Sequence, residues 1–445
     1  MNKISLIIIV FFFAVASIYA QSEKQIIYLS MDEVIDQSLA ENLSLKSKML
    51  EYDIQNLEVW KSYSNFVPTL SYQGMFVKNV ELPVFVFMGQ SFTVGTPYTF
   101  QHSLSLSLPL FTGGARFFNI SAQNSIKKSL AEELRGKESE TVLNAVQSYY
   151  GIILSKSFYE TALEAVNAAK ENLDQVKKQY DVGSATELDL QRAKAQYFST
   201  LPQLEAAKSS LKLSKQQLKS FLNMSLEDSL VVTDSLSKKD FLNELNGIEL
   251  TELKNYGFNN KHELIALRHQ LDATEEGENL ALSSFAPTIA ASFSIDHQAQ
   301  LENSKVMWSD YIRSKSIALA VNWPIFEGGS KIVELQKAKI RTDQMEIALK
   351  QFEDQIELGI EQSFYKYKEA QKNLTSLKEA LKQAKESMRI SNLLYEQGMS
   401  TQLDVLNAQL LYINSKTNYQ QGIFDYNVSQ LTLLNSIGKL NTIWD

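Results

Sequence analysis

The side chains that most often carry out chemistry in enzymes are sparse in this sequence. The chain has 445 residues and no cysteine, which excludes thiolate zinc sites, iron–sulfur clusters and cysteine nucleophiles. The four histidines are His102, His262, His269 and His297. No two of them have the H-x-x-x-H spacing that places two imidazoles on one helix face to bind a metal. We therefore predict no catalytic residue, no metal site and no cofactor.

One segment superficially resembles a phosphate-binding loop. Gly328-Gly329-Ser330-Lys331 ends like the P-loop motif but lacks the first glycine at the required spacing. It is better interpreted as a corner between a strand and a helix. The sequence also contains no G-x-S-x-G nucleophile motif. The chain is therefore predicted not to be an enzyme.

Residues 1–20 have the features of a secretion signal. Lys3 precedes an apolar run from Ile4 to Val15, and small residues lead to Ala20. The alternative is an N-terminal membrane anchor, but the run is too short to span a bilayer comfortably. No apolar run of about 18 residues follows, which argues against membrane-spanning helices. The net charge of −8 argues against a nucleic-acid partner. We expect an exported protein that is periplasmic, secreted or an outer-membrane barrel.

The chain contains an internal duplication. Leu108–Gly114 (LPLFTGG) matches Trp323–Gly329 (WPIFEGG), with 215 residues between equivalent positions. Tyr180–Gly183 (YDVG) matches Tyr395–Gly398 (YEQG) at the same offset. Matched landmarks in one order indicate that both halves hold the same elements. Each half is predicted to contain a helix, two strands with a loop, a long helix, a turn and a returning helix.

Four segments have the period-2 alternation of strands with one apolar and one polar face. They span about residues 66–78, 100–110, 286–297 and 315–325. Ser103–Leu108 (SLSLSL) alternates strictly. A soluble sandwich or an edge hairpin would have the same pattern. Two duplicated pairs in an exported, otherwise helical chain favour strands of a transmembrane barrel, with the apolar face toward lipid.

Four strands are too few to close a transmembrane barrel, for which about eight is the observed minimum. An open sheet edge in lipid would leave backbone groups unpaired at several kcal/mol each. The chain is therefore expected to oligomerise. Three copies would supply twelve strands, whereas the lumen formed by two copies would be too narrow for large cargo.

The helical pattern continues without a break from Ala115 to Tyr180 and again from Lys331 to Tyr395, about 65 residues each time. Helical patterns longer than about 25 residues indicate a coiled coil. Apolar residues recur every seven positions, as at Tyr159, Val166 and Leu173. Each half is therefore predicted to contribute an antiparallel coiled-coil hairpin.

The two hairpin turns are predicted at about residues 181–189 and 396–404. Gly183 and Gly398 suit the left-handed position that ends an incoming helix. Ser184–Glu187 and Thr401–Asp404 both fit a capping box that starts the returning helix. These local roles already explain the glycines, hydroxyls and carboxylates of the turns.

These features together make the chain resemble the TolC-like outer membrane efflux protein family over essentially all of the mature sequence. The resemblance depends on the duplication, the proline-flanked strand pairs, the two Phe-x-Gly-Gly corners and the two tip turns. It implies a homotrimer with a twelve-stranded barrel in contact with outer-membrane lipid and a long periplasmic α-barrel. It also implies two partners, a periplasmic adaptor (membrane fusion) protein and an inner-membrane pump of the RND or ABC type.

The resemblance further implies roles for residues of the tips. Asp404 matches a carboxylate that rings the tunnel entrance, and Asp189 and Tyr395 match residues that tie neighbouring coils shut. Two positions depart from the family, with Ser400 in place of a basic residue and Asn407 in place of a second ring carboxylate. At most one acidic ring is therefore expected. The residues expected to contact the adaptor are Gly183, Ser184, Gly398 and Ser400.

The predicted fold is mainly α with a small β part. The predicted divisions are a signal peptide at 1–20, a first repeat at 21–222, an equatorial linker at 223–250 and a second repeat at 251–445. The predicted function is that of a passive, trimeric exit duct of a tripartite efflux or type I secretion system, opened at its periplasmic tip by the adaptor. The alternative is a periplasmic coiled-coil scaffold or adaptor without a transmembrane barrel.

Overall fold

The computed structural model describes residues 26–242 and 247–444, so the predicted signal peptide lies outside the described residues. The helices are α1 (Met31–Glu41), α2 (Leu43–Ser64), α3 (Ala115–Asp181), α4 (Glu187–Phe221), α5 (Leu250–Asn260), α6 (His262–Ser283), α7 (Ser330–Glu396) and α8 (Gln402–Ser436). The strands are β1 (Ile26–Leu29), β2 (Thr69–Lys78), β3 (Val84–Phe87), β4 (Gln90–Thr93), β5 (Tyr98–Thr112), β6 (Ser229–Val232), β7 (Thr288–Leu301) and β8 (Ile312–Asn322). Within the described residues, no helix is both long and apolar enough to cross a membrane.

The chain divides into two compact units, and each unit takes segments from both halves of the duplication. The strand unit consists of Lys48–Arg135 and His262–Gln355. Of the described residues, the hairpin unit consists of 26–47, 136–242, 247–261 and 356–444. The long helices α3 and α7 contribute to both units, because each is continuous across a unit boundary.

The strand unit contains one four-stranded antiparallel sheet in the order β2-β5-β7-β8. The central pair, β5 and β7, joins the two halves of the duplication. The strand predicted at about 315–325 lies slightly earlier, since β8 ends at Asn322 and leaves Pro324 outside. Proline has no N–H to donate to a strand ladder, which explains this end point.

The two faces of this sheet differ in chemistry, as the alternation predicts. Hydroxyl groups on one face bond across the strands. Ser71 Oγ and Ser105 Oγ are 2.7 Å apart, and Ser294 Oγ and Ser316 Oγ are 2.9 Å apart. The opposite face carries the large apolar side chains, and most of them are exposed. Exposed apolar members of that face are Leu70, Tyr72, Phe76, Leu104, Leu106, Phe293, Ile317, Leu319 and Val321.

The strand unit also has a short hairpin that the sequence patterns did not indicate. β3 and β4 pair antiparallel, with Phe87 opposite Gln90. Met88 and Gly89 form the two-residue turn, and both have positive φ, 49° and 78°. That combination is typical of a type I′ turn, whose twist matches the twist of the strands.

Part of the segment 223–250, which was predicted as an equatorial linker, has regular structure in the hairpin unit. β6 lies in this segment and pairs in parallel with β1. Two fully buried amides on α8 then fix the chain that follows. Asn427 Oδ1 accepts from the Lys239 N–H at 3.0 Å, and Gln430 Oε1 accepts from the Phe241 N–H at 3.0 Å. The backbone of this segment bonds to side-chain amides and not to a neighbouring strand. Its sequence therefore has no alternating pattern that would predict the arrangement.

Candidate functional site

The first hairpin tip closes the turn between α3 and α4. Gly183 has φ of +79°, the left-handed conformation that tolerates no Cβ without strain. The Ser184 N–H donates to the Gln179 carbonyl at 2.8 Å, and the Gly183 N–H donates to the Tyr180 carbonyl at 2.9 Å. This pair of bonds is a Schellman motif, which satisfies the last carbonyls of α3.

The capping box of the first tip begins at Thr186, so the prediction of a box at Ser184–Glu187 was wrong. The Asp189 N–H donates to Thr186 Oγ1 at 3.1 Å, and the Thr186 N–H donates to Asp189 Oδ2 at 3.2 Å. Ser184 acts on the preceding helix, because its hydroxyl donates to the Gln179 carbonyl at 3.0 Å. Asp189 therefore caps α4, and it also lies 3.9 Å from Arg192.

The second tip has the same construction 215 residues later, as predicted. Gly398 has φ of +71°, and the Met399 N–H donates to the Leu394 carbonyl at 2.8 Å. Thr401 and Asp404 form the capping box, with the Thr401 N–H donating to Asp404 Oδ2 at 2.9 Å. The Ser400 hydroxyl donates to the same carboxylate oxygen at 3.3 Å. Hydrogen bonds from the Thr401 hydroxyl and then the Thr401 backbone lower the pKa of Asp404.

Tyr395 joins the second tip to the first. Its hydroxyl donates to Gln179 Oε1 at 2.7 Å. Burial raises the pKa of Tyr395, with a smaller contribution from the charge of Asp189. Within the described chain, Tyr395 thus bonds to a glutamine of α3, whereas Asp189 influences Tyr395 only through the electrostatic effect of its charge. Gln402 makes a second contact, with its amide donating to Asn172 Oδ1 where both side chains are buried.

Further polar contacts, between α3 and α8, continue this seam. Glu164 accepts from the Tyr412 hydroxyl at 3.1 Å and also pairs with Lys416. Gln420 donates to Thr161 Oγ1 at 3.0 Å. No sequence pattern indicates these residues, because polar residues between two helices look the same in sequence as polar residues facing solvent. The polar seam is defined here as Thr161, Glu164, Asn172, Gln179, Tyr395, Gln402, Tyr412, Lys416 and Gln420.

The remaining predicted tip residues lie on the surface of this chain. Asp404 and Asn407 are both exposed and are three residues apart on α8, so they share one helix face. Gly183, Ser184 and Gly398 are exposed as well, and Ser400 is half-buried. The structure therefore places Asp404 and Asn407 together, and it places Asp189 on a different hairpin.

Apolar side chains also lie at the tips. Val176, Leu190 and Ala193 form a small buried core beneath the first turn, with Ala185 packed against it. Leu188 and Leu403 occupy equivalent positions in the first turns of α4 and α8, and they remain 56% and 46% exposed. No group of three or more potential metal ligands occurs in the parts of the chain that the structure describes.

The fold is similar to the folds of solved outer-membrane proteins. The structure of CusC, described in connection with transmembrane channel formation, matches with a TM-score of 0.77 and 19% sequence identity, covering 92% of each chain. The outer membrane protein VceC from Vibrio cholerae matches with a TM-score of 0.77 and 16% identity, covering 92% of this chain and 96% of that one. At these identities the likeness concerns the fold.

The chain belongs to the outer membrane efflux protein family, whose sequence model matches residues 34–224 and 258–439. The outer membrane efflux protein BepC of Brucella suis biovar 1 (strain 1330) is 22% identical over 339 residues, which span 76% of this chain and 72% of BepC. The outer membrane protein TolC of Escherichia coli (strain K12) is 20% identical over 304 residues, spanning 67% of this chain and 62% of TolC. The family consists of channels and not enzymes, so the predicted class and outer-membrane location are confirmed.

Proposed function

We propose that this chain forms a homotrimeric exit duct in the outer membrane, with the sheets of three copies joined into one twelve-stranded barrel. The observation that supports this most directly is the state of the sheet edges. Within the described residues, β2 and β8 each pair with one neighbour only, so each has an unpaired edge. An unpaired edge cannot remain in lipid, where each unsatisfied backbone group costs several kcal/mol. Pairing β8 of one copy with β2 of the next satisfies both edges.

The two faces of the sheet support the same arrangement. The apolar face is exposed on the single chain, with Ile317 at 85% and Leu70 at 67%. Lipid would cover that face in a barrel. The hydroxyl face would then line the lumen, where the bonds of Ser71 to Ser105 and of Ser294 to Ser316 belong to a wall of mostly small, wettable side chains. Such a wall suits a duct that passes varied cargo without binding it tightly.

The tips would act as the periplasmic gate of this duct. Asp404 and Asn407 on the exposed face of α8 would ring the mouth, so each trimer would carry one acidic ring. The bonds from Tyr395 to Gln179 and from Gln402 to Asn172 hold the second hairpin against the first. Opening by movement of one hairpin would break these contacts, each worth about 1 kcal/mol net.

The outer surface of the tips would dock a periplasmic adaptor. Gly183, Ser184, Gly398 and Ser400 form the turns, and the exposed leucines of the following first turns lie beside them. An apolar side chain next to a turn with small residues offers a close-packed contact for a partner helix. An inner-membrane pump of the RND or ABC type would supply the energy for transport.

Conductance of the purified full-length protein in planar bilayers tests the duct directly. We expect discrete steps of stable conductance and, in detergent, a particle with three times the mass of the monomer. A monomer that stays soluble without detergent and leaves bilayers silent would contradict the proposal and favour a periplasmic scaffold. Fractionation of cells provides an independent check, because a duct must sediment with the outer membrane.

A further inference from the structure

The apolar face of the four-stranded sheet becomes basic at the end formed by the loop between β7 and β8. His102 on β5 is paired in register with His297 on β7, and His297 is paired with Arg313 on β8. Directly paired residues of neighbouring strands share a face, so these three side chains form one row across three strands. Lys315 lies two residues further along β8 and therefore on the same face.

Aromatic side chains fix the imidazoles of this row. The Tyr72 hydroxyl and His102 Nδ1 are 2.7 Å apart, and His102 Nε2 is 2.9 Å from the Tyr311 hydroxyl. The ring of Trp308 lies 5.3 Å from the ring of His297 and 5.3 Å from the ring of Tyr311. Trp308 is nevertheless 72% exposed. Because these contacts fix the rings while Trp308 stays exposed, the surface is ordered before anything binds to it.

The positive charge of this surface is not neutralised by the sheet. Arg313 and Lys315 are exposed, and neither forms an ion pair with any residue in the ranges 26–242 and 247–444. Asp296 is adjacent to His297 in sequence and so lies on the opposite face, where it accepts from Ser103 Oγ at 2.5 Å and Ser294 Oγ at 2.8 Å. Asp310 accepts from the Met307 N–H at 2.8 Å. The apolar face therefore gains cations without matching carboxylates.

We propose that His297, Arg313 and Lys315 bind the phosphate of a phosphorylated lipid headgroup in the outer leaflet, while His102, whose two ring nitrogens are bonded to Tyr72 and Tyr311, keeps the aromatic side chains of the site in place. This inference depends on the proposed function, because it assumes that the apolar face meets lipid. Arginine and lysine are the side chains best suited to phosphate oxygens, and exposed tryptophan and tyrosine favour the membrane interface. The row is continuous with Leu104, and apolar side chains beside a phosphate site fit acyl chains attached to that phosphate. A free anion would gain nothing from this apolar surface.

The test is lipid binding by the full-length protein in uncharged detergent, followed by native mass spectrometry. Phosphatidic acid is the phosphate-bearing probe, and phosphatidylcholine and inorganic phosphate are the comparisons. We expect phosphatidic acid to bind at least tenfold more tightly than phosphatidylcholine. Removing each charge near a membrane surface should weaken binding about fivefold, so Arg313→Gln combined with Lys315→Gln should weaken it about twenty-five-fold.

Lys305→Gln is the matched control, since Lys305 is an exposed lysine of the β7–β8 loop and lies outside the row. It should change the affinity by less than twofold. The inference is overturned if the double variant binds phosphatidic acid as the wild type does. It is also overturned if inorganic phosphate displaces the lipid at equal concentration, because the occupant would then be a soluble anion.

Conductance in bilayers of phosphatidylcholine alone separates this inference from the proposed function. A wild type and a double variant that both conduct, with no difference in lipid affinity, would refute the headgroup site and leave the duct intact. A wild type that never conducts would refute the duct, and the assignment of this face to lipid would be refuted with it.

Discussion

The two hairpin tips have the same backbone and use different side chains. Both have a left-handed glycine, a Schellman turn and a threonine–aspartate capping box, 215 residues apart. In the first tip, interaction with the Glu187 carboxylate raises the pKa of Tyr180, so the two equivalent positions interact within one hairpin. In the second tip, Tyr395 and Gln402 reach across to α3. The first tip is self-contained, whereas the second is held by its neighbour.

The strand-to-helix corners differ in the same way. Gly113 and Gly328 have nearly equal φ, +64° and +61°. A Cβ on Gly113 would lie 2.4 Å from the Ser283 carbonyl oxygen, whereas a Cβ on Gly328 would meet nothing within 4 Å. Duplication has therefore preserved the backbone conformation in both halves, while the contacts made by equivalent positions have diverged. Substitutions at equivalent positions should consequently have unequal effects, and this expectation can be tested pair by pair.

The largest difference is expected at the corners. Gly113→Ala should lower the free energy of unfolding by about 3 kcal/mol, from the left-handed strain and the clash with backbone together. Gly328→Ala has the strain alone and should cost about 1 kcal/mol. Thermal unfolding of both variants in detergent measures the difference. Equal losses would show that the crowding around Gly113 relaxes at little cost.

Exchanging the residues at the equivalent positions Glu187 and Gln402 should give the next largest effect. Gln402→Glu puts a carboxylate at a buried position facing Asn172 Oδ1, and we expect it to weaken the seam by about 2 kcal/mol. The opposite exchange, Glu187→Gln, is at an exposed position and should leave the gate unchanged. Open probability in planar bilayers is the measurement, with a rise expected only for Gln402→Glu. Lowering the pH toward the carboxyl range should reverse that rise by protonating the introduced glutamate.

Removing a single hydroxyl should have a smaller effect. Tyr395→Phe loses the bond to Gln179, worth about 1 kcal/mol, and should raise the open probability roughly fivefold. Tyr180→Phe removes the equivalent hydroxyl from the self-contained tip and serves as the control. The same change in both variants would indicate that the second tip is not held more firmly than the first.

The smallest effect is expected from the capping carboxylates. Asp404→Asn should reduce the cation preference of the channel, measured as the reversal potential across a salt gradient, while Asp189→Asn should change it less.

Because the pKa of Asp404 is lowered in the folded protein, its contribution to tip stability is complete above the ordinary carboxyl pKa. That contribution is lost only as the pH falls through the lowered value. The protection factor of the Val405 amide, which removes the pH dependence of intrinsic exchange, should therefore fall only in strong acid, and a loss of protection near neutral pH would contradict the role of Asp404 as a cap.

Much of this fold could be predicted because its signals are local and repeated. The alternation of Ser103–Leu108 marks a strand from a few residues, and the glycine turns mark the tips in the same way. The duplication then confirmed each weak signal with a second copy. The first capping box shows the limit of this approach. Ser184 and Thr186 are both plausible caps, and only the bond from Ser184 to the Gln179 carbonyl assigns it to the preceding helix.

The sequence by itself determined the class of this protein, since periodicity, glycine turns and duplication depend on neighbouring residues and remain visible in one dimension. The tertiary structure alone decided which side chains meet. Glu164 and Tyr412 are 248 residues apart, and His102 and Arg313 join one row only because β7 lies between their strands. The physical reason is that strand register and helix packing bring distant positions together, and the energy of those contacts leaves no periodic trace along the chain.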